Sequence, residues 1–269
     1  MNTKMLLTAA ALACGLGLTG TAYAAASVST TVTNIRYTLV DLDLSDGITP
    51  SLFLGPTTIP SQASVAIVRP GNIATEDLHY GSTGSAPVSA ALINFPLAGL
   101  ASVAGDGSVL GMSLTTGVIV GTDPTQSFKY EASTYTGRQL VGLSANTSIT
   151  WYADVSFVGT ESGATGGLSA QEIHGSAGMV LYFNRDNVVA PQLSFSSGPN
   201  NTAPYTIGST QTLSYSYSNN TNSGLNAFIS FSAGAGGSQI ISPVPEPATY
   251  GMLGIGLGII GLLARRRKR

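Results

Sequence analysis

The run TSITWYADVSF, Thr147 to Phe157, restricts the fold of this chain more than any other stretch. Thr147, Ile149, Trp151, Ala153, Val155 and Phe157 alternate with Ser148, Thr150, Tyr152, Asp154 and Ser156. Successive side chains on a strand point to opposite faces, so the pattern predicts a strand with one face in a core and the other in water. Similar alternation runs through Phe128, Tyr130 and Ala132, through Leu213, Tyr215 and Tyr217, and through Leu225, Ala227, Ile229 and Phe231. No convincing helical periodicity competes with it between the two ends of the chain. With glycine-rich turns and outer faces of serine and threonine, the expected fold is all-β, an antiparallel β-sandwich of jelly-roll-like form. In the first strand the apolar phase changes. Ile35, Tyr37 and Leu39 share one face, whereas Val40, Leu42 and Leu44 share the other, which predicts a bulge or bend near Leu39 such as strands need at a sandwich corner.

The two ends read differently from this middle. Residues 1–24 carry one early charge, Lys4, an apolar run from Met5 to about Leu18, and Ala22 and Ala24 in the arrangement that signal peptidase accepts. The run is too short for a spanning helix, so the segment is expected to be a secretory signal peptide that engages the secretory translocon. The single cysteine, Cys14, lies within it. A lipoprotein reading would acylate Cys14, but Ala11 stands where leucine usual in such signals would be. The exported part therefore has no thiol, and its stability must come from a sizeable core. Between Ala25 and Ser242 there are five basic and twelve acidic residues, a net of −7, while five basic residues crowd into Arg265 to Arg269. No basic patch is available to neutralise phosphates, which argues against nucleic-acid binding.

From Ala248 to Ala264 seventeen residues carry no charge. As a helix they would reach about 25 Å, enough for a thin hydrocarbon core. Arg265, Arg266, Arg267, Lys268 and Arg269 would stay on the cytoplasmic side and leave the preceding chain outside, in agreement with the signal peptide. Gly254 and Gly258 form a GxxxG, although glycine is common in membrane helices in any case. Before the helix, Pro245, Glu246 and Pro247 form a rigid, extended segment that a processing enzyme could grip.

This order, Val-Pro-Glu-Pro-Ala-Thr, then a short apolar helix, then a terminal arginine cluster, resembles the PEP-CTERM sorting signal. The resemblance implies an exosortase as partner, cutting near Pro245 to Pro247, transient anchoring in the inner membrane with the C-terminus cytoplasmic, and delivery to the cell surface or extracellular space. It also implies a Gram-negative host that makes exopolysaccharide, with a role in matrix, biofilm or floc. The segments NIRYTLVDLDLSDGITPS, LSANTSITWYADVSF and LSYSYSNNTNSGLNAFISFSA further resemble, in that order, the ectodomain of a group of PEP-CTERM proteins, which implies no particular activity. The expected organisation is a signal peptide over 1–24, one ectodomain over 25–242 and the sorting signal over 243–269. Within that signal, 243–247 is the Pro-Glu-Pro segment, 248–264 the helix and 265–269 the tail. Gly163 to Gly167 and Gly234 to Gly237 read as loops, the second giving slack before the sorting segment.

Chemistry-bearing constellations are sparse. Asp41, Asp43 and Asp46 in DLDLSDG place three carboxylates at a strand end, and calcium, which takes several hard oxygens, is the one cofactor they suggest. An acidic turn that ends a strand is the plainer reading. Tyr152 beside Asp154 on an outer strand face is the best local candidate for stacking and hydrogen bonding to a sugar ring. HGSAG around Ser176, with His174 and the distant His79, falls short of a nucleophile elbow. Glu76, Asp77, Glu131, Asp154 and Glu172 are carboxylates that a glycosidase could use at the right separation. The chain is therefore expected to be a non-enzymatic structural or interaction protein of exopolysaccharide or biofilm. The alternative is a carbohydrate-binding module or weak glycan-active enzyme delivered by the same signal.

Overall fold

The computed structural model describes residues 24–68, 78–84, 86–94, 97–121, 127–162, 168–184, 187–198 and 204–241. Residues 1–23 of the leader, Glu76 and Asp77, the 163–167 patch and the whole 243–269 sorting signal lie outside these. In chain order the strands are β1 (Ala24–Asp41), β2 (Leu52–Ile59), β3 (Ser61–Val68), β4 (Leu78–Gly84), β5 (Val88–Asn94), β6 (Leu97–Ala104), β7 (Ser113–Gly121), β8 (Phe128–Tyr135), β9 (Arg138–Leu143), β10 (Thr147–Glu161), β11 (Leu168–Asn184), β12 (Asn187–Val189), β13 (Gln192–Ser196), β14 (Tyr205–Asn219) and β15 (Leu225–Ile241). One 3-10 turn, Val109–Gly111, interrupts them. Among the described residues no helix is long and apolar enough to cross a membrane.

The strands form an antiparallel β-sandwich. The first sheet has the order β14-β10-β1-β7-β6-β5. The second runs β12-β11-β15-β8-β3-β4, with β13 on β11 and with β9 bridging β15 to β2. Core residues from both sheets form one apolar cluster between them. The alternation over β10 is realised in full: Thr147, Ile149, Trp151, Ala153, Val155 and Phe157 are all buried. Trp151 packs on Tyr37 with ring centroids 5.4 Å apart, and Phe157 meets Phe195 edge-on at 5.2 Å. Such tilted and edge-on pairs suit the ring quadrupoles. Tyr130, Ala132, Leu213, Ala227, Ile229 and Phe231 also enter the core as the alternation requires.

The irregularity in β1 lies earlier than expected. Register with β10 shifts between Thr33 and Arg36, not near Leu39, and Asn34 there adopts φ 50°. Before the bulge the even residues Ala26, Val28, Thr30 and Val32 are buried, and after it Ile35 takes over, with Tyr37 and Leu39 packed against the core. One extra residue has moved the inward face by one position. Val40, Leu42 and Leu44 consequently face solvent, Leu44 at 89% exposure. The strand stays in the first sheet throughout, so the bulge turns no corner.

Gly234 to Gly237 is also not a loop. It lies in the middle of β15, paired on one side with β11 and on the other with β8. A Cβ at Gly237 would collide with the Glu172 carbonyl and the Tyr130 hydroxyl, and one at Gly236 would meet the Tyr130 carbonyl at 2.6 Å. Glycine is needed here for close approach within a strand rather than for freedom in a linker.

The two ends of the sandwich differ. At one end Ala26 pairs with Glu161 on the first sheet, and Leu168 pairs with Ile241 on the second. Thr30 of β1 donates to the Gly234 carbonyl of β15 across the two sheets, so the start of β1 and the end of β15 lie toward the same end of the sandwich. At the other end three connections are tied to one another. Leu42 N–H donates to the Asn146 carbonyl, Asn146 N–H to that of Thr221, and Ser144 N–H to that of Ser51. Asn219 Nδ2 donates to the Ser144 and Ser223 carbonyls, 2.9 and 2.8 Å away.

Candidate functional site

Tyr152 and Asp154 emerge on the solvent face of the first sheet because they are the even residues of β10. Register places Arg36 opposite Tyr152 and Thr33 opposite Asp154 on β1, with Ser214 and Thr212 opposite them on β14. The bulge at Asn34 then brings three donors to one carboxylate. Asn34 Nδ2 donates to Asp154 Oδ2 at 2.7 Å, Arg36 Nη1 to Oδ1 at 2.9 Å, and Thr212 Oγ1 to Oδ1 at 3.4 Å. The Arg36 guanidinium also lies 5.4 Å from the Tyr152 ring centroid, within cation–π range. The Asn34 amide foremost, then Arg36, hold the Asp154 carboxyl below its ordinary range. Sequence reading found Tyr152 and Asp154 but missed Asn34, Arg36 and Thr212, since only strand register and the bulge unite them.

Around this cluster the face is a field of hydroxyls. Ser27 and Thr160 are linked at 3.0 Å, Thr150 and Ser216 at 2.8 Å, and Ser218 donates to Ser148 at 3.0 Å. Chemically it offers alternating donors and acceptors on a sheet surface, with one ion pair and one tyrosine ring at its centre. The Arg36–Asp154 pair is partly exposed, and pairs of that kind contribute about 0–1 kcal/mol.

The outer face of the second sheet gathers other residues singled out by the sequence. Glu131 of β8 and His174 of β11 flank Gly236 of β15 on either side, and Glu172 lies two residues before His174. Glu172 Oε1 accepts from Ser196 Oγ at 3.0 Å and sits 4.0 Å from His174 Nδ1. The buried Glu161, which sequence reading did not select, accepts from Ser197 Oγ at 2.7 Å. Burial, with Glu161 and Glu172 nearby, pushes the Tyr130 phenol well above its ordinary range. Glu131 and Glu172 thus share one face, while Asp154 belongs to the other sheet. Ser176 lies within the extended β11 and not on a strand-to-helix turn.

The carboxylates of DLDLSDG each serve a local turn. Asp41 Oδ1 accepts from Asp43 N–H, Asp43 Oδ1 from the Ser45 N–H and hydroxyl, and Asp46 Oδ1 from Ile48 N–H. Ser45 holds the Asp43 carboxyl below its ordinary range. Asp46 Oδ2 accepts from Asn146 Nδ2 at 2.8 Å, which ties the turn to the knotted end of the sandwich. Among the described residues no three His, Cys, Asp or Glu side chains gather into a group that could hold a metal ion.

In the sequence the antiparallel sandwich with its hydroxyl-rich face is followed by a proline-bounded acidic segment, an apolar stretch and a basic cluster. Residues 243–268 match the family model of the PEP-CTERM protein-sorting motif. The match includes Pro245, Glu246 and Pro247, the apolar segment and the basic residues as far as Lys268. The motif implies an exported chain with a C-terminal sorting signal and an exosortase as its processing partner. No curated protein matches the chain.

Proposed function

We propose that this chain is a non-enzymatic structural or interaction component of an exopolysaccharide matrix. The leader over residues 1–24 takes it through the secretory translocon and is removed by signal peptidase. The 248–264 segment holds it briefly in the inner membrane with Arg265 to Arg269 in the cytoplasm. Exosortase cleavage near Pro245 to Pro247 then frees the sandwich to the cell surface. The observation that carries this reading is the sorting motif at 243–268. It is joined by a hydroxyl-lined sheet face suited to a hydrated polymer. The test is the intact mass of the protein recovered from surface, medium and membrane fractions of its host. A chain ending near Pro245 to Pro247 in the surface fraction is the expected result, and one retaining Arg269 everywhere would refute processing.

A second reading, glycan binding or weak glycan hydrolysis, is favoured by two placements: Tyr152 and Asp154 among hydroxyls on the first sheet, and Glu131 and Glu172 on one face of the second. Binding to a glycan array that Tyr152→Ala abolishes would support the former. Release of reducing ends that Glu172→Gln abolishes would support the latter.

A further inference from the structure

Sheet edges expose unpaired backbone groups, and folded proteins shorten them, charge them, kink them or place proline in them. Most outer strands of this sandwich follow that rule. β5 and β4 have seven residues each, β13 five and β12 three. β2 has eight, contains Pro56 and is broken by two register shifts. β14 follows none of it. It runs fifteen residues, YTIGSTQTLSYSYSN, without a charge or a proline. It pairs with β10 residue for residue without a shift, and among the described residues no strand occupies its other edge.

We propose that this edge pairs with β14 of a second copy of the chain, joining two first sheets into one continuous antiparallel sheet. The sequence of β14 is self-complementary under a two-fold axis. The register that overlaps all fifteen residues centres on Thr212, so that Thr206 faces Ser218, Gly208 faces Ser216, and Thr210 faces Ser214. The outer face would then set hydroxyl opposite hydroxyl at Thr206–Ser218 and Thr210–Ser214, with Gly208 leaving room beside Ser216, a favourable cross-strand pairing with no like charges opposed. Thr206 of the second copy would extend the Ser148–Ser218 link already present. On the inner face Ile207 would meet Tyr217, and Ser209 would meet Tyr215. Tyr205, Ile207, Tyr215 and Tyr217 are only partly buried in the single copy, so pairing covers an aromatic rim that one sandwich leaves half open. Because a two-fold contact uses the same edge on both partners, it closes as a dimer and grows no fibre. The inference concerns assembly and stands apart from the matrix role proposed above.

The test uses the full chain in mild detergent with Cys14→Ala, so that any thiol is an introduced one. Under oxidation Thr212→Cys is expected to form a disulfide-linked dimer, because a residue on the axis faces its own copy at a Cα separation that a disulfide can span. Thr206→Cys would lie roughly 40 Å from its counterpart in this register and should crosslink at least about tenfold less. Thr210→Lys combined with Ser214→Lys places lysines opposite each other at two exposed positions. It should return the chain to monomer by light scattering while its far-ultraviolet circular dichroism spectrum stays that of the folded sandwich. A wild-type chain that is monomeric at about 100 µM would overturn the proposal. So would equal crosslinking at Thr206 and Thr212, or a dimer that survives the paired lysines, since either places the contact elsewhere.

Discussion

Asp154 is held below its ordinary range by the Asn34 amide and the Arg36 guanidinium, and this fixes how its contribution depends on pH. A carboxyl whose folded pKa is depressed stabilises the fold fully above its unfolded value, about 3.9, and loses that stabilisation as pH falls through the folded value. Asp154→Asn is therefore expected to be less stable than the native chain above pH 5, with the gap closing as the pH drops below about 4. Urea midpoints measured across that range check it, and a gap that does not change with pH would disprove it. The cluster was half legible in the sequence. Tyr152 and Asp154 are visible as polar residues in a strict alternation, whereas Arg36 is 118 residues away and no local pattern marks it as their neighbour.

At the scale of the element, β1 shows why a pattern can be read in the wrong place. Thr30 is fully buried and donates through Oγ1 to the Gly234 carbonyl of the opposite sheet at 2.8 Å. A polar residue on the inward face hides the even phase of the strand, and three exposed apolar residues, Val40, Leu42 and Leu44, counterfeit a second one. The true switch is Asn34, which tolerates the left-handed region where β-branched residues do not. Asn34→Val is expected to cost about 1–2 kcal/mol from the backbone alone, with loss of the amide to Asp154 added. Asn34→Gly keeps the backbone and loses only the amide, so it should be the milder of the two in chemical denaturation. β10 was fully legible because its core face holds no interruption. The glycines of β15 were not, because a glycine run looks the same in a sequence whether it loosens a loop or admits a tyrosine across a strand.

For the whole molecule, one apolar cluster joins both sheets, and Trp151, the single tryptophan, is buried within it. Its fluorescence therefore reports on the packing of both sheets. Unfolding followed by this signal and by circular dichroism should coincide, as for one cooperative unit, and should not respond to dithiothreitol, since Cys14 is the only cysteine. A reductant-sensitive midpoint or two separate transitions would contradict this. The co-location of the start of β1 and the end of β15 has a further use. A β-sandwich whose first strand starts and last strand ends toward the same end suits splicing into a surface loop of an unrelated host. The turn around Ser45 sits at the opposite end of strands as long as the fifteen-residue β10, about 50 Å away. A peptide grafted there would be carried clear of its carrier, which makes the sandwich a ready-made stalk for display.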